Sequence, residues 1–462
     1  MVRYCKLSKL GLQYLGVLMR PNERSATPQS DLFRLKLVNL IDLRHELCRL
    51  GDEMHWQTLV EEFGLLYAEQ GRPGVPIRLM VGLHYLKHAY GLSDEVVVKT
   101  WVENPYWQYF CGEEYFQHQL PIDPSQMTRF RTRLGAAGCE RLLALTIRAG
   151  VATEAVRPRS FADVTVDTTV QEKAIAFPTD GRLYYKGREW LVRLARANGI
   201  ELRQSYRRRG KQALFMQNRY GAARQMRRAR RELKRSKIYL GRVHRDLQRK
   251  LSAHSMEVQQ RFAEPMARVA RLLAQQCQDK HKLYSLHAPE VECIAKGKVH
   301  KKYEFGIKVS LAATQRDNFI VGALALPGNP FDGHTLQSAL SQVERLTDTK
   351  PKRCFVDRGY RGHGIEDTEV YIAGQKRGIT RALRRALKRR NAIEPIIGHT
   401  KHDGLMGRNY LKGSAGDAMN AILAAAGHNL RIILRKLRLS WLCFLRALLG
   451  ELETTRRLIA TA

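Results

Sequence analysis

The sequence predicts a mixed α/β protein with an N-terminal all-α region, a mixed-sheet core interrupted by a long basic helical insertion, and helices at the C-terminus. Three observations predict it. Apolar residues before residue 150 recur at helical spacing, and an alternation of period two begins near Phe161 and returns only after residue 300. The roughly 130 residues between these strand-like stretches are far too many for a loop, and they are Arg-rich and poor in Gly and Pro. The expected divisions are therefore 1–155, a core made of 156–172 and 300–412, the insertion 173–299 and the C-terminal helices 413–462.

In the first region, from Asp31 to about Gly150, Phe33, Leu37, Leu40, Leu43, Leu47 and Leu50 recur at helical spacing and suggest an all-α domain. Ser93, and then Asp123-Pro124-Ser125, stand where helices start. The second of these helices carries Arg129, Arg131 and Arg133. A basic helix after a short polar entry suits the recognition helix of a helix-turn-helix, although ordinary solvation of a three-helix packing gives the same pattern.

Around Phe161, Ala162, Val164 and Val166 alternate with Asp163, Thr165 and Asp167, as on a strand with one buried face. In the insertion, residues 201–250 hold 18 Lys or Arg against 3 Asp or Glu, an excess of 18 − 3 = 15 positive charges. Arg207, Arg208 and Arg209, and then Arg227 and Arg228, are in its densest clusters. Beyond residue 300 the stretches Tyr303 to Leu311 and Phe319 to Leu326 read as a hairpin. A helix near His334, a strand Arg353 to Asp357, a strand Thr368 to Ile372 and a basic helix from Arg381 complete an interleaved α/β order.

The global charge points to the partner. The 79 Lys plus Arg exceed the 44 Asp plus Glu by 35, which calls for a polyanion. Nucleic acid is favoured over a membrane, because the longest apolar stretch, Leu439 to Gly450, is interrupted by Arg446 and falls short of the ~20 residues of a spanning helix. The beginning Met1-Val2-Arg3-Tyr4-Cys5-Lys6 lacks a signal-peptide core, so a cytoplasmic, nucleoid-associated protein is expected. The eight cysteines are scattered without zinc-knuckle spacing.

Three acidic residues stand where chemistry could be assembled, each with a bland alternative. Asp167 interrupts a β-branched run, where a carboxylate is costly unless it meets a cation or donors, yet it also suits a wet strand face. Asp357 ends its strand just before Arg358-Gly359-Tyr360, a place for a ligand or for an Asx-type turn. On a continuous helix Glu394 falls within roughly 40° of Arg390 and Lys401. Pro395 complicates that helix, and a start at Asn391 would make Glu394 a capping-box residue. His334 either approaches the acids or caps its helix.

Together these segments resemble the DDE-type transposases of the insertion sequence 4/5 superfamily, closest to the insertion sequence 5 family, whose core is ribonuclease H-like. The resemblance is carried by Val166-Asp167-Thr168-Thr169-Val170-Gln171-Glu172-Lys173, Phe177-Pro178-Thr179-Asp180, His300-Lys301-Lys302-Tyr303-Glu304-Phe305-Gly306, Gly328-Asn329-Pro330-Phe331-Asp332-Gly333-His334-Thr335-Leu336 and Val356-Asp357-Arg358-Gly359-Tyr360-Arg361-Gly362. Arg390, Glu394 and Lys401 match the signature Tyr-x2-Arg-x3-Glu-x6-Lys, with Leu387 at the tyrosine position.

The resemblance implies that Asp167, Asp357 and Glu394 are the ligands of two Mg2+ ions, with Mn2+ as a substitute, and that Arg390 and Lys401 contact DNA. It implies an enzyme that binds the terminal repeats of an insertion sequence as a homodimer or higher assembly. Such an enzyme cleaves double-stranded DNA by two-metal-ion phosphodiester hydrolysis and transfers the 3′ ends to target DNA. A nuclease on the same core and a transposase that only binds DNA are the rivals.

Overall fold

The computed structural model describes residues 35–67, 74–276, 278–295, 302–375 and 378–460, with side chains to Leu439. The N-terminal reading at Met1 to Lys6, the beginning of the helical pattern at Asp31 with Phe33, the thiols Cys5 and Cys277, and the motif residues His300 and Lys301 lie outside the described residues. Among the described residues no helix is long and apolar enough to cross a membrane.

Among the described residues seven helices come first: α1 (Leu37–Leu40), α2 (Glu46–Glu53), α3 (Trp56–Gly64), α4 (Ile77–Tyr90), α5 (Asp94–Glu103), α6 (Pro105–Phe110) and α7 (Ser125–Ala152). The helical pattern from Leu37 to Leu50 is carried by two helices, with the chain turning between Leu40 and Glu46. There Asp42 Oδ1 accepts from the Arg44 amide and His45 Nδ1 from the Leu47 amide, so side chains take over the bonds a helix would make. Leu40 and Leu43 are exposed as a result. Ser93 caps α5 as its position suggests, accepting from the Val96 amide.

A six-stranded mixed sheet follows. It comprises β1 (Asp163–Glu172), β2 (Glu292–Ala295), β3 (Tyr303–Thr314), β4 (Ile320–Leu326), β5 (Arg353–Val356) and β6 (Glu369–Ile372). The spatial order is β2-β3-β1-β5-β6, with β4 also on β3, so β1 is central. It runs antiparallel to β3 and parallel to β5, and β5 is parallel to β6. β3 and β4 form the expected hairpin.

Between β1 and β2 lie α8 (Asp180–Ala197), α9 (Arg207–Ala222), α10 (Met226–Leu251) and α11 (Met256–Ala274). These helices pack around a core of their own, including Leu191, Leu240, Leu247, Phe262 and Leu272. The N-terminal helices instead share one continuous core with the sheet. After β4 come α12 (Asp332–Thr347), α13 (Arg381–Arg389), α14 (Ile393–His402) and α15 (Gly413–Ala460). The C-terminal part is thus one long helix. Its Asn429 side chain bonds both the amide and the carbonyl of Ile320 at 2.8 Å, covering the edge of β4.

The insertion leaves and rejoins the core at a buried ion cluster. Lys173 Nζ lies 2.8 Å from both Glu290 Oε1 and Asp417 Oδ1, and Asn409 Nδ2 donates to Asp417. Burial of such charges is tolerable only because each meets a partner.

Candidate active site

β1 is set by its β-branched run, and its flanking strands bury it more thoroughly than the sequence pattern foretells. Thr165, Thr169 and Gln171, on the face expected to be wet, are also buried. α15 covers part of that face, with the Gln171 amide donating to the Asp417 carbonyl and accepting from Asn420. Within the strand's interior only Asp167 and Thr168 stay partly open.

Asp163, Val164 and Thr165 pair in parallel with Arg353, Cys354 and Phe355. Carried forward by two residues, that register brings Asp167 level with Asp357, which lies just past the end of β5. The two carboxylates are held alike. Asp167 Oδ1 accepts from the Thr168 amide at 2.8 Å, and Asp357 Oδ1 from the Arg358 amide at 2.6 Å. Asp357 thereby caps a 3-10 turn, Arg358–Tyr360, so the Asx-type role and the strand-end position coexist.

Glu394 is exposed in the first turn of α14, which packs on β1. The capping-box alternative does not form, because the residue before α14 is Ala392 and no side chain caps it. Pro395 falls within the first helical turn, where its missing amide costs little. A 3-10 segment, Arg390–Ala392, joins α13 to α14 and advances about 120° per residue instead of about 100°. The single stripe expected of Arg390, Glu394 and Lys401 is consequently split. Arg390 turns inward until its Nη1 lies 3.5 Å from Asp167 Oδ2. Lys401 faces β3, with Nζ 4.0 Å from the buried carboxylate of Glu304.

Asp332, which the sequence reading passed over in favour of its neighbour His334, reaches this region more directly. Its Oδ1 accepts from Thr168 Oγ1 at 3.0 Å and Lys308 Nζ at 3.1 Å, and a side chain at Gly359 would press on its Oδ2. The Tyr360 phenol is buried nearby and its pKa is raised well above the usual value, first by burial and then by the charges of Asp167 and Asp332. His334 is exposed, its ring edge-on to Phe331 at 5.5 Å, and the residue before the helix is Phe331. The signal for Asp332 was its place at a helix start directly after Pro330-Phe331.

Carboxylate oxygens are the donors that Mg2+ takes, and Asp167 in β1 and Asp357 just past β5 offer them here. Asp167 Oδ2 is balanced by Arg390, whose Nε is buried without a partner. The donor chemistry fits a hard cation. Among the described residues, however, no group of three or more His, Cys, Asp or Glu side chains lies close enough together to hold one. Asp167, Asp357 and Glu394 share a region, not a ligand sphere.

The arginines of the N-terminal helix divide by face, since residues two apart on a helix lie about 200° apart. Arg129 and Arg133 are exposed, and the Arg133 guanidinium lies 4.3 Å from the Tyr67 ring centroid. Arg131 is 3 % exposed and grips Asp94 with both terminal nitrogens, which corrects its expected role on DNA. Burial alone would raise the Asp94 carboxyl, but hydrogen bonding to Arg131 and the charges of Lys87 and Arg131 outweigh it, leaving the pKa lowered. His84 accompanies them, pushed down to about 3 by burial and by the charge of Arg131.

In the insertion Arg207, Arg208 and Arg209 begin α9, and Arg227 and Arg228 begin α10, all exposed. Cations at helix N-termini oppose the helix dipole, so both clusters are arranged to be relieved by an anion. Each helix of this hairpin starts at an opposite end, and α9 with 16 residues spans about 24 Å.

A family model described as Transposase domain (DUF772) matches residues 35–133. A curated protein of Rhizobium meliloti, "Uncharacterized protein ORF8 in nfe locus", is 53 % identical over 207 residues, which is 45 % of this chain and the whole of that protein. No solved structure matches the chain.

Proposed function

The chain belongs to a transposase family, and on that premise we propose that it is a DDE-type DNA transposase with a ribonuclease H-like core. It binds double-stranded terminal repeats of its element, cleaves there and transfers the 3′ ends to target DNA, as a homodimer or higher assembly. The consideration that carries this reading is the parallel β1–β5 register, which, continued two residues past its last pair, brings Asp167 level with Asp357 just beyond the end of β5. Strand ends of an open α/β sheet are where such folds place their chemistry.

Asp167, Asp357 and Glu394 would hold Mg2+, or Mn2+ in its place. When bound, the metal supplies Lewis-acid stabilisation of the phosphoryl oxygens and activation of the attacking hydroxyl. Asp332 keeps Thr168 and Lys308 in place beside Asp167. Arg390 neutralises Asp167 in the DNA-free chain, and Arg390 and Lys401 would contact phosphates once DNA is bound. Arg129 and Arg133 serve end recognition within residues 1–155, and the insertion grips the backbone through its two exposed arginine clusters.

A second reading, a protein that binds DNA without cutting it, is favoured because no three acidic or ligating side chains among the described residues gather closely enough to hold a metal. One incubation separates the two: the full chain, Mg2+ and DNA bearing the ends of its native element, with cut and joined products mapped. Cleavage with joined 3′ ends supports the transposase, and cleavage without joining makes the chain a nuclease. Intact DNA on a tightly bound protein leaves only the binding role.

A further inference from the structure

The basic helix α13 has no buried residue, and no acid occurs in the sequence from Gly374 to Ile393. Arg381, Arg384, Arg385 and Lys388 are all exposed and, at about 100° per residue, fall within about 100° of one another over about 10 Å of helix axis. Arg381 with Arg385 and Arg384 with Lys388 are like charges four residues apart, which repel each other, and an anion along the stripe relieves that repulsion. Thr380 caps the start of α13, and its far end is tied to the turn between β3 and β4. There Arg389 donates through Nε to the Gln315 carbonyl at 2.6 Å and through Nη2 to the Arg316 carbonyl at 2.5 Å, and Gln315 Nε2 donates to the Ala386 carbonyl at 2.6 Å. Gln315 in turn accepts from Thr165 Oγ1, two residues before Asp167.

The cationic surface continues past that turn. Arg316, Arg159 and Lys352 are exposed around a hollow at the starts of β1 and β5. The acids that line it are already engaged, Asp163 by Nε and Nη2 of Arg353 and Glu369 by the Tyr371 hydroxyl. This surface and the insertion lie at opposite ends of the central strand. The turn meets the first residue of β1, where the Gln315 amide donates to the Asp163 carbonyl at 2.9 Å, and the insertion departs beyond its last residue, Glu172. The 10 residues of strand between them span about 30 Å, with Asp167 near the middle. A stripe about 10 Å long faces about three successive phosphates on one strand of a duplex, so it fits a polyanionic chain better than a single phosphate.

We propose that α13, with Arg316, Arg159 and Lys352 beside it, is the dock for a second duplex, the one that receives the cut ends, while the insertion and the N-terminal helices hold the element's own ends. The inference rests on the reading that the chain joins DNA. In that joining the 3′ oxygen of the element forms a bond to a phosphorus of the second duplex and the P–O3′ bond there breaks. The proton given up by the attacking hydroxyl is matched by one taken up by the released 3′ oxygen, so no co-reactant is needed. Grips at opposite ends of β1 let the two duplexes meet at the carboxylates without competing for one surface. Contacts to phosphates carry no sequence information, so this dock accepts unrelated sequences.

The test uses the full chain saturated with duplex bearing the ends of its native element and then offered a second, fluorescent duplex of unrelated sequence. Arg381→Gln/Arg384→Gln/Arg385→Gln/Lys388→Gln should weaken capture of the second duplex at least about tenfold and flatten the salt slope of that capture by about 3 units, while binding and cleavage of the ends stay within about twofold. Its melting temperature should not fall, because the four side chains are exposed and repel one another. The companion Arg381→Lys/Arg384→Lys/Arg385→Lys keeps the charges and should capture the second duplex normally. Joining of pre-cut ends to a plasmid should fall with capture in the first variant and persist in the second. Equal losses of end binding and of second-duplex capture would make α13 part of the end grip and overturn the proposal, as would capture unchanged in the Gln variant. Normal cleavage and joining by the Gln variant would sink this inference and leave the transposase standing. Second-duplex capture that depends on the four cations, in a chain that never cuts or joins, would keep the dock and sink the transposase.

Discussion

The Arg390 guanidinium lies 3.5 Å from Oδ2 of Asp167, so a buried candidate DNA contact and the least exposed of the three candidate carboxylates neutralise each other. Arg390→Gln removes that balance. It is expected to lower stability by about 1–3 kcal/mol, the cost of a buried charge left without its partner when the pair is partly open to water. Thermal melting reads this directly, and an unchanged midpoint would mean the pair contributes nothing in solution.

Asp167→Ala, Asp357→Ala and Glu394→Ala should each abolish DNA cleavage while end binding survives. Glu394→Gln should also be inactive yet keep its stability within about 0.5 kcal/mol, because the side chain is exposed and caps nothing. An Asp357→Ala protein that cuts at the normal rate would remove that residue from the chemistry.

Arg129→Gln and Arg133→Gln should weaken binding to the element's ends without moving the melting temperature. Arg131→Gln should instead cost about 3–5 kcal/mol, because Asp94 loses a two-nitrogen partner inside the fold. Gel shifts and melts on the three variants decide it; a stable Arg131→Gln protein defective only in DNA binding would restore that residue to the surface role.

Acid should destabilise the N-terminal helices through His84. Its folded pKa, about 3, lies below the ordinary value near 6.5, so the unfolded chain binds the proton more readily. The associated stability is full above pH 6.5 and is lost progressively as pH falls towards 3, on the order of 4–5 kcal/mol at most. His84→Gln should flatten denaturation midpoints across that window. A wild-type slope that the variant reproduces would place the titrating group elsewhere.

For the insertion, log affinity for duplex DNA should fall with log salt by about 0.9 per phosphate contact. Replacing Arg207, Arg208, Arg209, Arg227 and Arg228 by Gln should flatten this slope by up to about 4 units and weaken all sequences alike. A slope that stays put in titrations from low to moderate salt would show that these helices do not touch the backbone.

The legible parts of the molecule were those fixed by local pattern. The strand around Asp167, the stop after Asp357, the hairpin from Tyr303 and the helical nature of the insertion each follow from period and composition. What pattern alone did not expose was whatever a distant partner decides. Arg131 differs from Arg129 and Arg133 only in facing Asp94 on another helix. Register, which brings Asp167 level with Asp357, is a property of two strands separated by the whole insertion. Asp332 was overlooked because its partners, Thr168 and Lys308, sit on other elements, and the 3-10 turn that swings Arg390 away from Glu394 has no clear composition signal.

The salt-bridged base at Lys173, Glu290 and Asp417 has a consequence for the history of such chains. Because both stems of the insertion are pinned to the same point, everything between them is a cassette. It can lengthen, shrink or be replaced by unrelated helices without moving β1 or β3, provided the three ions at its neck are kept. Grafting a short linker across that neck is therefore the natural way to ask what the sheet can do on its own.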